Sequence, residues 1–309
     1  MGTKIRIGLG AVGSSLEEVM EAAQRAEAAG FHSTWFSNIF GHDALTLVAL
    51  VGRETQRIEL GTAVVPTYSR HPFYMAQQAL STSAACGGRF ALGVGPSHQV
   101  VIEGMLGLSY DKPARHVREY VQILKSLVET GSVKHEGKVY QVRGQLQVPG
   151  APTFPVLIGG LGKLMRRIAG AIADGTVTWM AGRRTLAEEI GPGVRAAARE
   201  AGRPEPRVVA ALPVCVTDDV ASAREVVDKV TAVYPTLPSY KAMLDLEGAR
   251  TGSEIALLGD EETVAAGVDA LADAGVTDFN ATIIPSGKDP RATAERSFAL
   301  MAELARRAL

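Results

Sequence analysis

The chain has 309 residues, 46% of them hydrophobic and 21% charged, with a formal net charge of -1. That balance supplies a large core and leaves no electrostatic footprint for nucleic acid or an anionic membrane. No window approaches the roughly 18 apolar residues of a membrane span, and Met1 to Gly10 lacks the apolar core of a secretory signal, so a cytoplasmic location is expected.

Ile5 to Leu9 is the first predicted strand. Ser15 and Glu18 form a capping box, and Leu16, Val19, Met20 and Ala23 repeat at helical spacing until Gly30. A second strand runs from Ser33 to Ser37, and Asp43 caps a helix carrying Leu47, Leu50 and Val51. Ile58 to Val65 is a third strand closed by Pro66. His71-Pro72 then opens a helix that ends near Cys86-Gly87-Gly88. Phe90 to Val94 is the fourth strand, an apolar run of the kind that parallel sheets bury on both faces. Pro113 to Thr130 is a helix with Val117, Tyr120, Val121, Leu124 and Leu127 on one face. A hairpin over Lys134 to Gln147 interrupts the rhythm.

Val156 to Ile158 is the fifth strand, with a helix over Lys163 to Ala173. Thr176 to Met180 is the sixth, with a helix over Thr185 to Glu200. Val208 to Val216 is the seventh, with a helix from Asp218 to about Val233 and a further short helix near Tyr240 to Glu247. Asp260 caps another helix, Asp278 to Ile284 is the eighth strand, and Asp289-Pro290 opens the closing helix. Eight strands, each followed by a helix, are the arithmetic of a (β/α)8 TIM barrel. No composition break marks a linker, so one domain over 1–309 is expected, with insertions at roughly 99–112, 131–153 and 235–258.

Gly8-Leu9-Gly10-Ala11-Val12-Gly13 matches the dinucleotide fingerprint G-x-G-x-x-G. The acidic residue that the fingerprint needs near the end of the second strand is absent, since that strand ends Trp35-Phe36-Ser37-Asn38. Ile158-Gly159-Gly160-Leu161-Gly162 is the better phosphate loop, because three glycines open a helix whose first amides are free. Lys163, Arg166 or Arg167 can add charge there. Barrel active sites collect at the C-terminal ends of the strands, which would gather Gly8 to Gly10, Ser37-Asn38, Ala63-Val64, Ser97-His98 and Trp179-Met180. His98 is the one group in that set suited to proton transfer near neutrality. The set has no paired carboxylates for glycoside hydrolysis, no G-x-S-x-G elbow and no metal-ligating cluster. Cys86 and Cys215 stand apart in small or apolar surroundings and read as reduced core thiols. Apolar, aromatic and glycine residues at the mouth suit a flat organic cofactor that carries the chemistry itself.

Leu60-Gly61-Thr62-Ala63-Val64 with Pro66, His71-Pro72 with Gln77, Gly88 to Gly95, His135 to Tyr140, Ala173-Asp174-Gly175-Thr176 and Ala274 to Thr277 together resemble the bacterial luciferase-like superfamily. Within it they are most similar to the deazaflavin (coenzyme F420)-dependent oxidoreductases. The resemblance implies a TIM barrel with a non-prolyl cis bond between Ala63 and Val64 behind the cofactor ring, and Asn38 near that ring. It also implies that the amides of Gly160, Leu161 and Gly162 hold the cofactor phosphate and that Trp179 lines the wall. Ser97 and His98 complete the cofactor mouth. His98 stands where some sugar-phosphate-oxidising relatives carry a carboxylic acid, a departure that argues against a sugar-phosphate substrate. The expected activity is hydride transfer between the deazaflavin and a small unsaturated molecule, with His98 moving the proton, in a homodimer. The alternatives are an FMN-dependent two-component monooxygenase and a non-catalytic flavin-binding barrel. Met105, Tyr110 and Tyr240 are candidate wall residues in the insertions.

Overall fold

In the computed structural model, which describes residues 5–308, eight parallel strands close on themselves: Arg6–Gly10, Ser33–Phe36, Glu59–Thr62, Phe90–Gly95, Val156–Ile158, Gly175–Trp179, Arg207–Val216 and Asp278–Ile283. Each pairs with its successor in the chain, and the eighth returns to the first with Arg6 opposite Asp278. The expected TIM barrel is therefore present. Of the stretch from Met1 to Gly10, residues 1–4 lie outside the described residues. No helix among the described residues is long and apolar enough to cross a membrane.

The barrel interior is filled by one large ring and many small residues. Trp35 is almost fully buried and clusters with Ala91, Leu157, Val177 and Val209. A Cβ on Gly61 would sit 2.3 Å from the Trp35 ring, so this glycine makes the room that the indole occupies. Gly8, the first glycine of the dinucleotide-like motif, plays a similar part, since a Cβ there would lie 2.2 Å from Ser33 Oγ. The motif thus serves close packing inside a closed barrel.

At the N-terminal end the barrel is plugged by charge. Arg207 donates to Asp278 Oδ1 at 2.6 Å and to Glu59 Oε1 at 2.8 Å, and Arg6 reaches Asp278 at 2.9 Å. The Arg207 guanidinium also lies 5.9 Å from the Trp35 ring centroid. Opposite charges of this kind, brought from four strands, satisfy one another where water is scarce.

The helices cover the outside with the faces the spacing predicts. In Pro113–Thr130 the residues Val117, Tyr120, Val121, Leu124 and Leu127 are all buried. Asp43, Asp260 and Asp289 each cap a helix through their carboxylates. The capping box is half realised. Ser15 Oγ accepts from Glu18 N at 3.2 Å, but the Glu18 carboxylate turns to Ser14, whose N–H and Oγ it accepts at 2.7 and 2.8 Å. Cys86 and Cys215 are free and buried.

Three elements differ from expectation. The third strand stops at Thr62 and resumes only as Val65–Pro66. The helix expected over Thr185 to Glu200 begins at Arg183 and passes through a π turn, Leu186–Ile190, before Gly191–Glu200. A short strand, Leu257–Gly259, extends the sheet beside Val214–Val216. The hairpin forms at Ser132–Glu136 and Gln141–Gln145, where Glu119 holds its turn by accepting from the backbone of Lys138, Val139 and Tyr140.

Candidate active site

The mouth is organised by the break in the third strand. Gly61 pairs with Ala91, and the next main-chain pairing is Val65 with Val94, so three residues face two. The surplus residue makes a bulge. Thr62 bridges it: its hydroxyl donates to Gly93 O at 2.8 Å and accepts from Gly93 N at 2.9 Å, replacing the ladder bonds the bulge removes. The bond between Ala63 and Val64 is cis, as the resemblance implied. Gly93 admits no side chain here, since its Cβ would lie 2.0 Å from Thr62 O.

Val64 then covers two neighbouring loops. A Cβ on Gly95 would be 2.9 Å from Val64 Cγ2, and one on Gly159 would be 2.7 Å from Val64 Cγ1. The loops after the third, fourth and fifth strands therefore meet at a single apolar contact. Ser37 ties the second strand to the same platform, donating to Ala63 O at 3.2 Å.

Asn38 is half-buried, and its Oδ1 accepts from Ala44 N at 3.0 Å, capping the helix Ala44–Glu54 from outside it. Its amide nitrogen makes no hydrogen bond among the described residues and is free to meet a ligand. Gly160 and Gly162 lie at the loop expected to hold a phosphate, while the Leu161 side chain is buried in the core and contributes backbone alone. Among the described residues no protein acceptor takes the amides of Gly160, Leu161 or Gly162, and the ten-residue helix that follows has no side-chain cap. Of the cations expected there, Arg166 is removed. It is buried and bound to Glu189 at 2.9 Å, which fixes the next helix rather than a ligand. Lys163 and Arg167 stay exposed.

Ser97 and Met180 adopt positive φ, 59° and 57°, at the ends of the fourth and sixth strands. Such conformations are uncommon outside glycine and need support. Tyr110 supplies it at Ser97, whose carbonyl accepts the phenol at 2.9 Å, so this wall residue is a brace. Met105 is exposed on the rim.

His98 follows, half-buried, with no hydrogen bond to its ring among the described residues. Burial alone holds its pKa below the usual histidine value. Its ring lies 5.6 Å from that of Tyr240, which lies 4.8 Å from Tyr234, which in turn lies 5.9 Å from Trp179. Tyr234 precedes the expected insertion by one residue and carried no sequence signal; only the folding-back of Pro238–Glu247 brings it to the mouth. Asn280 was also silent in the sequence. It is buried in the eighth strand below Gly10, with an Oδ1 that reaches no partner. A cavity of about 360 Å³ opens at the C-terminal ends of the first two strands, lined by Ala11, Phe36, Ser37, Ile39, His42 and Leu47 among others. Among the described residues no group of His, Cys, Asp and Glu could hold a metal.

A parallel barrel with an uncapped glycine loop, an apolar platform and an aromatic wall defines a site for a flat, phosphate-bearing cofactor. Residues 2–278 match the family model described as luciferase-like monooxygenase, and the chain belongs to that family. It is similar to the 5,10-methylenetetrahydromethanopterin reductase of Archaeoglobus fulgidus, 28% identical over 49% of this chain and 46% of that protein, just under half of its length. The reductase of the same name from Methanopyrus kandleri is 26% identical over 82% of this chain and 84% of that one. Among solved structures, the coenzyme F420-dependent tetrahydromethanopterin reductase of Methanopyrus kandleri superposes with a TM-score of 0.82 at 21% identity, covering 98% of this chain and 99% of that one. An F420-dependent secondary alcohol dehydrogenase in complex with an F420-acetone adduct gives 0.81 at 18% identity, covering 99% of both. The FMN-bound oxygenating constituent of 3,6-diketocamphane monooxygenase from Pseudomonas putida gives 0.77 at 17%, covering 99% of this chain and 98% of that one. Of these proteins two are named as F420-dependent and one holds FMN, all act as reductases, dehydrogenases or monooxygenases, and this chain is an oxidoreductase.

Proposed function

We propose that the protein is an F420-dependent oxidoreductase that moves a hydride between the deazaflavin and a small uncharged organic molecule, with His98 taking or returning the accompanying proton. The observation that carries this reading is the continuous surface made where Val64 covers Gly95 and Gly159, with the unbonded amides of Gly160, Leu161 and Gly162 at one edge and His98 at another. When bound, the deazaflavin supplies a ring carbon that accepts or gives a hydride. The residues of this chain do the rest. The amides of Gly160 to Gly162, at the positive end of the helix Lys163–Ile172, suit a phosphate. Val64 and Ala63 give an apolar support for a ring face.

His98 is neutral at neutral pH because burial disfavours its charged form. In that state it accepts the proton released when a hydroxyl is oxidised, and returns it in the reverse direction.

The choice of F420 over FMN is supported by a groove of about 350 Å³ between the helices Pro113–Thr130 and Lys163–Ile172. Arg118, Gln122 and Arg167 line it over Ile168 and Ile172, and neither arginine has a carboxylate partner among the described residues. The groove begins about one and a half helical turns beyond Gly162. It offers cations to the glutamate tail of F420, which FMN lacks. Two of the similar solved structures are named as F420-dependent, which supports the same reading. A cytoplasmic homodimer is part of the proposal.

Side-by-side fluorescence titration with F420 and FMN tests it. Tight F420 binding, weak FMN binding and a His98→Ala variant that keeps its F420 affinity but loses about 10²–10⁴ in rate are expected. Preference for FMN would move the assignment to a two-component monooxygenase. Parental turnover in His98→Ala would remove the proton role.

A further inference from the structure

We infer that Asn280 recognises the cofactor ring: its carboxamide pairs with the imide edge, a C=O beside an N–H, and so brings the pyrimidine end of the ring into the barrel. The inference rests on the proposed cofactor site and deepens it. It applies equally to F420 and FMN, which carry the same imide.

Asn280 lies on the lumen side of the eighth strand. Two residues earlier Asp278 faces the same lumen, where Arg6 and Arg207 consume it in the plug. Two residues later Thr282, partly exposed, stands nearer the mouth. Between them Asn280 is only 4% exposed, yet its Oδ1 reaches no partner and its amide nitrogen donates to no acceptor among the described residues. A buried carboxamide in that state costs free energy. The fold has not placed it there for stability.

Its neighbours are what leave it free. In the barrel register Asn280 stands opposite Gly8 on one side and Ala211 on the other. Gly10, nearer the mouth, is also bare: a Cβ there would lie 3.3 Å from Thr282 Oγ1 and 3.7 Å from Asn280 Oδ1. None of the three bears a side chain long enough to cap the amide. Ser33 is committed to the Trp35 indole, whose Nε1 donates to its hydroxyl at 2.9 Å. The Trp179 indole, opposite Ala211, is turned to Tyr234. The main chain at this level is spent on strand pairing. A trapped water needs two to four polar partners, and among the described residues this level offers Asn280 alone.

The chemistry of a carboxamide specifies the ligand group. It presents a donor and an acceptor side by side, so its complement is an acceptor beside a donor in one plane. The imide of a flavin or deazaflavin ring is such a group, and two parallel hydrogen bonds satisfy both ends of the amide. A lone carbonyl satisfies one end only. A phosphate or carboxylate, with acceptors alone, leaves the amide oxygen unpaired. Ala63 and Val64 pack against the Trp35 cluster of the same lumen, so the apolar platform and Asn280 serve one ring.

The test is a binding titration read by cofactor fluorescence, using F420, FMN and each of them methylated at the ring N3, which removes the imide donor. Parent, Asn280→Ala and Asn280→Leu are compared. The parent is expected to bind the N3–H form about tenfold more tightly than the N3-methyl form, about 1.4 kcal/mol. Asn280→Ala, which also makes room for the methyl, is expected to bring the two forms within about twofold. Asn280→Leu keeps the volume without the polar atoms. Its thermal midpoint without cofactor should match or exceed the parent's, and its affinity for the N3–H form should fall about tenfold. A parent that does not distinguish the two forms, an alanine variant that keeps the parent's ratio, or a leucine variant with parental affinity would overturn the assignment. A leucine variant that melts well below the parent would make the amide a structural group and overturn it too. If FMN binds and F420 does not, the F420 reading fails and the ratio measured with FMN still decides Asn280. If neither binds, both fall.

Discussion

Thr62→Val tests how the barrel tolerates a bulge at its mouth. Valine has nearly the same shape, so packing is kept while the hydroxyl is lost. That hydroxyl is the partner of both Gly93 N, at 2.9 Å, and Gly93 O, at 2.8 Å, and Thr62 is fully buried. The substitution leaves one donor and one acceptor unsatisfied in a place that water cannot reach. At roughly 1–3 kcal/mol for each such group, with some relaxation, the loss of stability is about 2–4 kcal/mol. Urea unfolding followed by circular dichroism reads this as a lower midpoint at unchanged slope. Thr62→Ser keeps the hydroxyl and loses one methyl, so it should cost about 1 kcal/mol. If valine lies within about 0.5 kcal/mol of the parent, or serine is the worse of the two, the bridge does not hold the bulge in the way described.

Arg207→Met should cost about 3 kcal/mol, because Asp278, almost fully buried, keeps only Arg6 as a countercharge; thermal unfolding checks it, and a neutral result would show that the plug is dispensable. The rate profile with pH should show an acid limb below the ordinary histidine pKa and a plateau through neutrality, since the active form of His98 is neutral and burial lowers its pKa. A limb above the ordinary value would contradict that. His116, stacked on Tyr68 at 3.8 Å, is held down to about 4 by burial. As pH falls below 6.5 the unfolded chain takes up a proton that the folded chain refuses, so stability present above 6.5 is lost progressively toward 4. Urea midpoints at pH 7 and pH 4.5 should differ more for the parent than for His116→Gln.

Much of the architecture was legible because it is local. Strand and helix signals lie within windows of ten to fifteen residues, and Asp43, Asp260 and Asp289 announce their helices by position alone. The glycine loop after the fifth strand and the free histidine after the fourth were legible for the same reason. What escaped depends on partners far apart in the chain. The bulge at Thr62 is defined by Gly93, 31 residues on. The plug joins Arg207 to Glu59 across 148 residues. Arg166 looked available to a phosphate because its consumption by Glu189 needs the packing of two helices. Tyr234 reaches the mouth only because the chain after the seventh strand turns back on itself.

That return is stitched rather than draped. Glu247 accepts from the amides of Arg184 and Thr185 at 3.0 and 2.7 Å and from the Thr185 hydroxyl at 2.8 Å. Asp228 in turn accepts from the Ser253 amide at 2.9 Å and its hydroxyl at 3.0 Å. The segment bearing both tyrosines is thereby fastened at each end to the frame beside the sixth and seventh strands. It behaves as masonry, not as a door. The loops after the second and fourth strands, by contrast, present Ile39, Phe40, Val100 and Met105 to solvent.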